Sequence, residues 1–343
     1  MRLTHEAITI HTKRAFRIAV GARTEFTAII ARLEHGGVVG YGEASPSKRV
    51  TGEDAASVAH FLDWATREIV DVKPDGWSEF LDHIHDDICG NPAARCALDL
   101  AVHDLIGKLR GVPARALYDD VPEGRIETSM TVSLDEPAVM AQEAVGYQKS
   151  GYRYLKLKLG DAGGDVSRVA AVGAACPDAR LRADANTGWT LADAPLTTYL
   201  RNTGIEFVEQ PLPPGDDAAL AEFARRSAIP VYADESVHDA HDIERLHEAG
   251  FRGGVNVKLQ KAGGLRPALW ALRRARELGF ATQLGCNVET SVGIAGAAQL
   301  VGLLDHADLD GNALLADDPF MRCEPRSGWI STSDLPGLGV APR

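Results

Sequence analysis

Eight short β-prone runs recur from residue 126 onward at steps of 24 to 28 residues, with helical patterns between them. A stretch of different texture precedes them, in which alternating strands are followed by amphipathic helices. Together these features predict an α/β chain: a (β/α)8-type, TIM-like barrel behind an N-terminal α+β capping domain. An open doubly wound sheet seldom keeps eight even steps, and no G-x-G-x-x-G follows the first strand. The expected spans are 1–120 for the cap, with a specificity loop near 16–26, and 121–318 for the barrel. Residues 319–343 form a tail expected to pack back on the cap.

In the cap, "AITIHTK", "EFTAIIARLEHGG" and "VVGYGEAS" alternate in the manner of strands, and Gly36-Gly37 supplies a turn. Residues 53–110 read as helices, ending in the amphipathic "AARCALDLAVHDLIGKLRG", with Gly111 as its stop. The barrel strands follow at 126–132, 154–159, 180–185, 205–210, 230–235, 254–259, 281–286 and 307–310. Between them, "DDAALAEFARRSAI" places Leu220 and Phe223 one turn apart, and "DAHDIERLHEAGF" forms a stripe from Ile243 and Leu246 before Gly250.

Composition narrows the function classes. A net charge of −12 repels nucleic acid and anionic membrane surfaces alike, so neither is expected as a partner. No apolar run reaches the ~18 residues of a membrane span, and the charged, alternating amino terminus lacks the core of a signal peptide. The five cysteines form no C-x-x-C pair, which suits reduced thiols in a cytoplasm. A cytoplasmic protein handling small molecules is expected.

Barrel chemistry lies at the carboxyl ends of the strands. Reading those ends in order gives Lys156 and Lys158, then Asp184 with Asn186 beyond it, Glu209, and Asp234 with Glu235. Lys258, then Cys286, Asn287 and Glu289, and finally Asp308 and Asp310 follow. A lone Asp after a strand is often only a helix N-cap. Carboxylates on three consecutive strands instead suit a hard divalent cation such as Mg2+. Lys158 and Lys258, on strands two and six, face each other across the mouth. Two opposed amines flanking a metal-bound carboxylate suit removal and return of a proton at the adjacent carbon. A lysine base must be neutral near pH 7, and positive charge from the metal and from Lys156 is the means of lowering its pKa.

"KLKLG" (156–160), "RADANTGW" (182–189), "VEQPL" (208–212), "ADES" (233–236) and "NVKLQKAGG" (256–264) resemble the muconate-lactonizing subgroup of the enolase superfamily. "VGYGEASPS" (39–47) in the cap is similar to that family too, so the resemblance spans nearly the whole chain. It implies that Asp184, Glu209 and Asp234 hold one Mg2+ per subunit, with Asn186 and Glu235 supporting them. Lys158 and Lys258 become the acid/base pair around a metal-stabilised ene-diolate, and Lys156 the tuner of Lys158. No histidine lies at 284–290, which disfavours the mandelate-racemase type. "ADLDG" (307–311) resembles the ammonium-binding pair of dipeptide epimerases, with Asp308 and Asp310 clasping a free α-amine. Arg23 resembles the arginine that meets the distal carboxylate of a C-terminal Glu. Thr131, Cys286, Asn287 and Glu289 are the remaining candidates for the substrate pocket, the polar Asn287 being a departure from the pattern. The implied activity is two-base epimerisation of the C-terminal residue of an L-Ala-D/L-Glu-type dipeptide. N-acylamino-acid racemases, o-succinylbenzoate synthases and muconate-type cycloisomerases are the alternatives within the subgroup. A homo-oligomer is expected.

Overall fold

The computed structural model describes residues 1–18, 21–321, 323, 325 and 327–343. Strands β1 (Arg2–Ile18), β2 (Gly21–His35) and β3 (Val38–Ala44) form an antiparallel sheet, turned at Gly36 and Gly37, both with positive φ. Helices α1 (Ala55–Glu68), α2 (Trp77–Asp86) and α3 (Pro92–Arg110) cover it. Asp54 and Ser57 form a capping box that starts α1, and Gly111, at φ 69°, ends α3. A Cβ on Gly42 would lie 1.9 Å from the Ala97 carbonyl oxygen, so only glycine lets α3 settle this close to β3.

Two expectations change. β1 and β2 run much further than their alternating cores, as a two-stranded ribbon beyond an irregularity in register between His11 and Phe16. Arg23, expected on a loop, therefore lies in β2 opposite Phe16. The ribbon is largely exposed, so it has no buried face to impose period-two patterning on its sequence. Residues 19 and 20 of the expected 16–26 loop lie outside the described residues. The run at 126–132 also splits. β4 (Arg125–Glu127) pairs antiparallel with β13 (Trp329–Ser331), and only β5 (Ser129–Val132) enters the barrel.

β6 (Tyr154–Lys158), β7 (Arg180–Asp184), β8 (Ile205–Glu209) and β9 (Val231–Ala233) follow β5 in parallel order. β10 (Gly254–Lys258), β11 (Ala281–Gly285) and β12 (His306–Asp308) complete the eight. A parallel Thr128–Ala307 bridge and the Ser129 hydroxyl, which donates to the Ala307 carbonyl, bring the two edge strands together. Helices α4 (Pro137–Lys149), α5 (Ala162–Ala175), α6 (Leu196–Asn202), α7 (Asp217–Arg226) and α8 (Ala240–Glu248) alternate with the strands. The short α9 (Leu259–Ala262), α10 (Leu265–Glu277) and α11 (Ser291–Ala298) finish the outer layer. Buried Arg182 plugs the amino-terminal floor, bonded to Ser129 Oγ at 2.7 Å and His306 Nδ1 at 2.9 Å. The far end is left as the only open mouth among the described strands. In the tail, Phe320 packs edge-on against Tyr41, and Leu338 N donates to Asp104 of α3 at 2.7 Å. No helix among the described residues is long and apolar enough to cross a membrane.

A buried acid joins the two halves of the molecule. Glu43 of β3 accepts from Thr290 N, Thr290 Oγ1 and Gly293 N at the start of α11. Glu289 stands beside it, accepting from Asn287 N and Gln260 Nε2. Burial pushes the Glu43 carboxyl up, with the charge of Glu289 adding to it, and burial likewise pushes Glu289 up. Two such groups cannot both ionise cheaply, so they share a proton.

The folded chain thus keeps a proton at pH values where an unfolded glutamate has lost it, and stability from this source is greatest at acid pH and declines as pH rises. The denaturant midpoint should fall between about pH 5 and about pH 8, by up to ~1.4 kcal/mol per pH unit for each retained proton. Glu289→Gln, whose amide needs no proton, should show a shallower decline. Equal declines in the two proteins would show that the pair does not hold the proton.

Candidate active site

The barrel register assembles the site. Lys158 pairs with Asp184 across β6 and β7, and Asp184 with Glu209 across β7 and β8, so these three stand side by side on the rim. Asp234 directly follows β9, Lys258 ends β10 and Asp308 ends β12. Lys156 and Lys158, two apart on one strand, share its inner face.

Asp184, Glu209 and Asp234 are fully or almost fully buried, and each offers an oxygen within 4.8 Å of the others. Lys158 Nζ bonds Asp184 Oδ2 at 2.7 Å and Lys258 Nζ bonds Asp234 Oδ2 at 2.8 Å. Lys156 Nζ reaches Glu209 Oε1 and Asp308 Oδ2, both at 2.7 Å, and Asp184 Oδ2 at 3.1 Å. Lys156 thus ties the carboxylates together from below.

Four supporting residues escaped the sequence reading. Asn256 Nδ2 and Gln283 Nε2 donate to the two oxygens of Glu209 at 3.0 and 2.8 Å. Gln210, at φ 33°, accepts through Oε1 from Asp234 N and Ser236 N, which fixes the loop carrying the third carboxylate. Lys261 Nζ bonds Asp234 Oδ1 at 2.5 Å. Asn256 was findable, because it lies two residues before Lys258 on the same strand face. Lys261 gave no such signal, since its direction depends on how the chain turns into α9.

Burial opposes charge on every carboxyl here. Lys158 and Lys156 outweigh it at Asp184, and Lys258 and Lys261 outweigh it at Asp234, so both sit below the usual carboxylate range. At Glu209 burial wins: Lys156 does not offset it, the charges of Asp184 and Asp234 add to it, and the carboxyl is pushed up. The cluster is therefore short of positive charge. Oxygen donors around one Mg2+ lie up to about 4 Å apart, so the three side chains fit such an ion with little adjustment. They are the residues that would hold it.

At Lys258, with the protein's own charges alone, burial acts to lower the pKa, but the charge of Asp234 outweighs it and holds the ammonium above the ordinary lysine value. At Lys156 burial is likewise overcome, by Asp308 and Glu209.

Above the cluster lies a cavity of about 850 Å3. Lys156, Lys158, Lys258, Asp234, Asn186, Glu235, Thr131, Cys286, Asn287, Asp308 and Asp310 line it from the barrel, and Arg23, Lys48 and Arg49 from the first domain. Asp184 and Glu209 lie beneath its floor. Thr131 offers its backbone N to Asp310 Oδ2 at 2.7 Å, and Cys286 Sγ donates to the Asp308 carbonyl. Asp308 Oδ1 is buried without a hydrogen-bond partner. Burial and the charge of Asp308 push the Asp310 carboxyl up, a second unmet demand for a cation. Glu289, expected in the substrate pocket, does not line this cavity; its carboxylate accepts from Asn287 N and Gln260 Nε2.

Residues 4–118 match the family model for the mandelate racemase / muconate lactonizing enzyme N-terminal domain, and residues 139–343 match the enolase C-terminal domain-like model. The chain is 33% identical over 345 residues to the L-Ala-D/L-Glu epimerase of Bacteroides thetaiotaomicron, covering 99% of this chain and 88% of that protein. It superposes on the substrate-liganded complex of the L-Ala-D/L-Glu epimerase from Bacillus subtilis with a TM-score of 0.94 at 28% identity, covering 100% and 98% of the two chains. The dipeptide epimerase from Enterococcus faecalis V583, complexed with Mg and the dipeptide L-Leu-L-Tyr, gives a TM-score of 0.93 at 31% identity and 99% coverage of both.

A cation that relieves Glu209 must stabilise the folded state. Mg2+ added to chelator-stripped protein at about a hundred times its Kd should stabilise folding by ~2.7 kcal/mol, seen as a raised Tm in calorimetry. Asp184→Asn should remove most of that rise. A Tm indifferent to Mg2+ in the unaltered protein would show that the carboxylates do not form the site.

Proposed function

The chain belongs to the enolase superfamily, in its mandelate racemase / muconate lactonizing enzyme branch, and from that membership we propose that it is a Mg2+-dependent dipeptide epimerase inverting the α-carbon of the C-terminal residue. The observation that carries this reading is the pairing of two sites in one cavity. A tricarboxylate cluster is flanked by lysines from β6 and β10, and beside it, joined to it through Lys156, stands the Asp308/Asp310 pair with an unpartnered buried oxygen.

Mg2+, when bound by Asp184, Glu209 and Asp234, supplies positive charge beside the substrate carboxylate and makes its α-proton easier to remove. Lys158 takes the proton from one face of the α-carbon and Lys258 delivers one to the other, since β6 and β10 stand four strands apart in the eight-stranded order. The same lysines exchange roles for the opposite stereoisomer. Lys258 starts from its bond to Asp234 Oδ2 at 2.8 Å, on the cavity wall. Lys156, bonded to Glu209 and Asp308, keeps the two carboxylate groups at a fixed separation.

Asp308 and Asp310 receive the free α-amine of the first residue, a charge-assisted contact that an acylated nitrogen cannot make. Arg23 and Arg49 on the first-domain wall offer cationic partners for an acidic second residue, as an L-Ala-D/L-Glu-type substrate needs, while Glu25, Glu53 and Asp54 line the same wall and Asp54 pairs with Lys48 at 3.2 Å. Arg49 is anchored to the Asn186 carbonyl and Thr187 Oγ1.

Incubated with L-Ala-L-Glu and Mg2+ in D2O, the protein should introduce deuterium at the α-carbon of the second residue and form the L,D epimer, read by mass spectrometry and chiral chromatography. Lys158→Ala and Lys258→Ala should each slow interconversion by at least ~100-fold. Full two-way epimerisation by Lys258→Ala would rule out the two-base scheme. Asp308→Asn should raise KM for free-amine dipeptides by about tenfold or more, the scale of a lost charged hydrogen bond. Unchanged kinetics there, with turnover of N-acylated substrates, would favour an N-acylamino-acid racemase instead.

A further inference from the structure

Lys261 has no part in the proton transfers above, yet it is almost completely buried and touches the third carboxylate of the cluster. Its ammonium bonds Asp234 Oδ1 and the Asp234 carbonyl oxygen, each at 2.5 Å, and the Asn256 carbonyl oxygen at 3.1 Å. Lys258 meanwhile bonds the other oxygen, Asp234 Oδ2. The two lysines thus divide the carboxylate between them, but they are not equivalent. Lys258 lines the cavity and is free to move into it. Lys261 is almost completely buried, is held by the Asp234 and Asn256 backbone carbonyls, and does not line that cavity.

The other two carboxylates are also divided between donors. Asp184 Oδ1 accepts from Asn186 N at 2.9 Å while Oδ2 faces Lys158. Glu209 Oε2 accepts from Gln283 Nε2 while Oε1 faces Lys156 and Asn256. At Asp184 one oxygen is occupied by a backbone donor, whereas at Glu209 barrel amides reach both oxygens. At Asp234 the donor to Oδ1 is a buried cation, the strongest kind of hold.

We propose that Lys261 is a positioning residue that keeps Asp234 Oδ1 out of the metal's coordination sphere, so that Asp234 binds through one oxygen and the site selects Mg2+ over Ca2+. This rests on Asp184, Glu209 and Asp234 being the Mg2+ site. Mg2+ demands a tight octahedron of single oxygens, whereas Ca2+ gains from carboxylates that offer both oxygens and from a larger ligand number. A carboxylate oxygen drawn toward a buried ammonium has given up one of its lone pairs and is a poorer second ligand. Releasing that oxygen removes the discrimination.

The test is calorimetric titration of chelator-stripped protein with Mg2+ and, separately, with Ca2+, for the unaltered chain, Lys261→Met and Lys261→Gln. Removing a positive charge strengthens binding of both ions, and that common effect cancels in the ratio of their dissociation constants. The ratio Kd(Ca2+)/Kd(Mg2+) should drop by about tenfold in Lys261→Met, the scale of one lost charge-assisted hydrogen bond. Lys261→Gln, which still donates a neutral N–H, should drop less. Thermal unfolding identifies which variants fold, and an unchanged ratio in whichever variant folds overturns the proposal. If the unaltered protein binds no Mg2+, the reading of the metal site falls as well; if it binds Mg2+ and the ratio is indifferent to residue 261, only the role of Lys261 falls.

Discussion

Three carboxylates within 4.8 Å of one another cannot be buried unless cations are brought to them, and much of this barrel's mouth answers that demand. Lys156 and Lys158 come from β6, Lys258 from the end of β10 and Lys261 from α9. Amide donors from β10 and β11 take up the oxygens that the ammonium groups do not. Even so, Glu209 stays short of positive charge, while Asp184 and Asp234 are fully served. The imbalance is what makes the cluster receptive: a site whose charges already cancelled would have nothing to gain from a divalent ion.

The chemistry and the recognition are carried by different parts of the chain. The lysines and carboxylates stand on strand ends whose positions are fixed by ladder hydrogen bonds. The charged wall opposite them, with both cations and acids, comes from the first domain, carried by the β1–β2 ribbon and the segment after β3. That ribbon is tied to the segment beyond β12 by main-chain bonds, Lys13 N to the Leu314 carbonyl at 2.9 Å and Ala316 N to the His11 carbonyl at 2.8 Å. Because backbone atoms make those ties, side chains along the ribbon can differ without loosening it, and Glu43 secures the same two halves from the opposite side.

Much of this was legible in the sequence, for identifiable reasons. A barrel strand is buried on both faces and ends at a fixed distance from the next, so the eight runs stood out and their terminal residues could be read in order. What escaped was set by contacts between distant residues. Glu289 is local to the seventh strand, but its orientation is shared with Gln260 of a distant segment. The division of 126–132 into β4 and β5 is decided by a partner at 329–331. Lys261 sits in a four-residue helix whose direction no periodicity reports. Local pattern reveals which residues are buried at a rim; it does not reveal which of several acids the mouth will turn inward.

The pairing of β4 with β13 bears on how the chain is made. The strand just ahead of the barrel's first waits for a partner that leaves the ribosome roughly two hundred residues later, a loop closure that no local contact prepares. All eight barrel strands are synthesised before that partner exists. Before β13 is made, Thr128 can be held only from the eighth strand, by its bridge to Ala307 and by Leu309 N, which donates to Thr128 Oγ1 at 2.6 Å. The seam between the first and eighth strands is therefore the last part of the barrel to receive its full set of contacts.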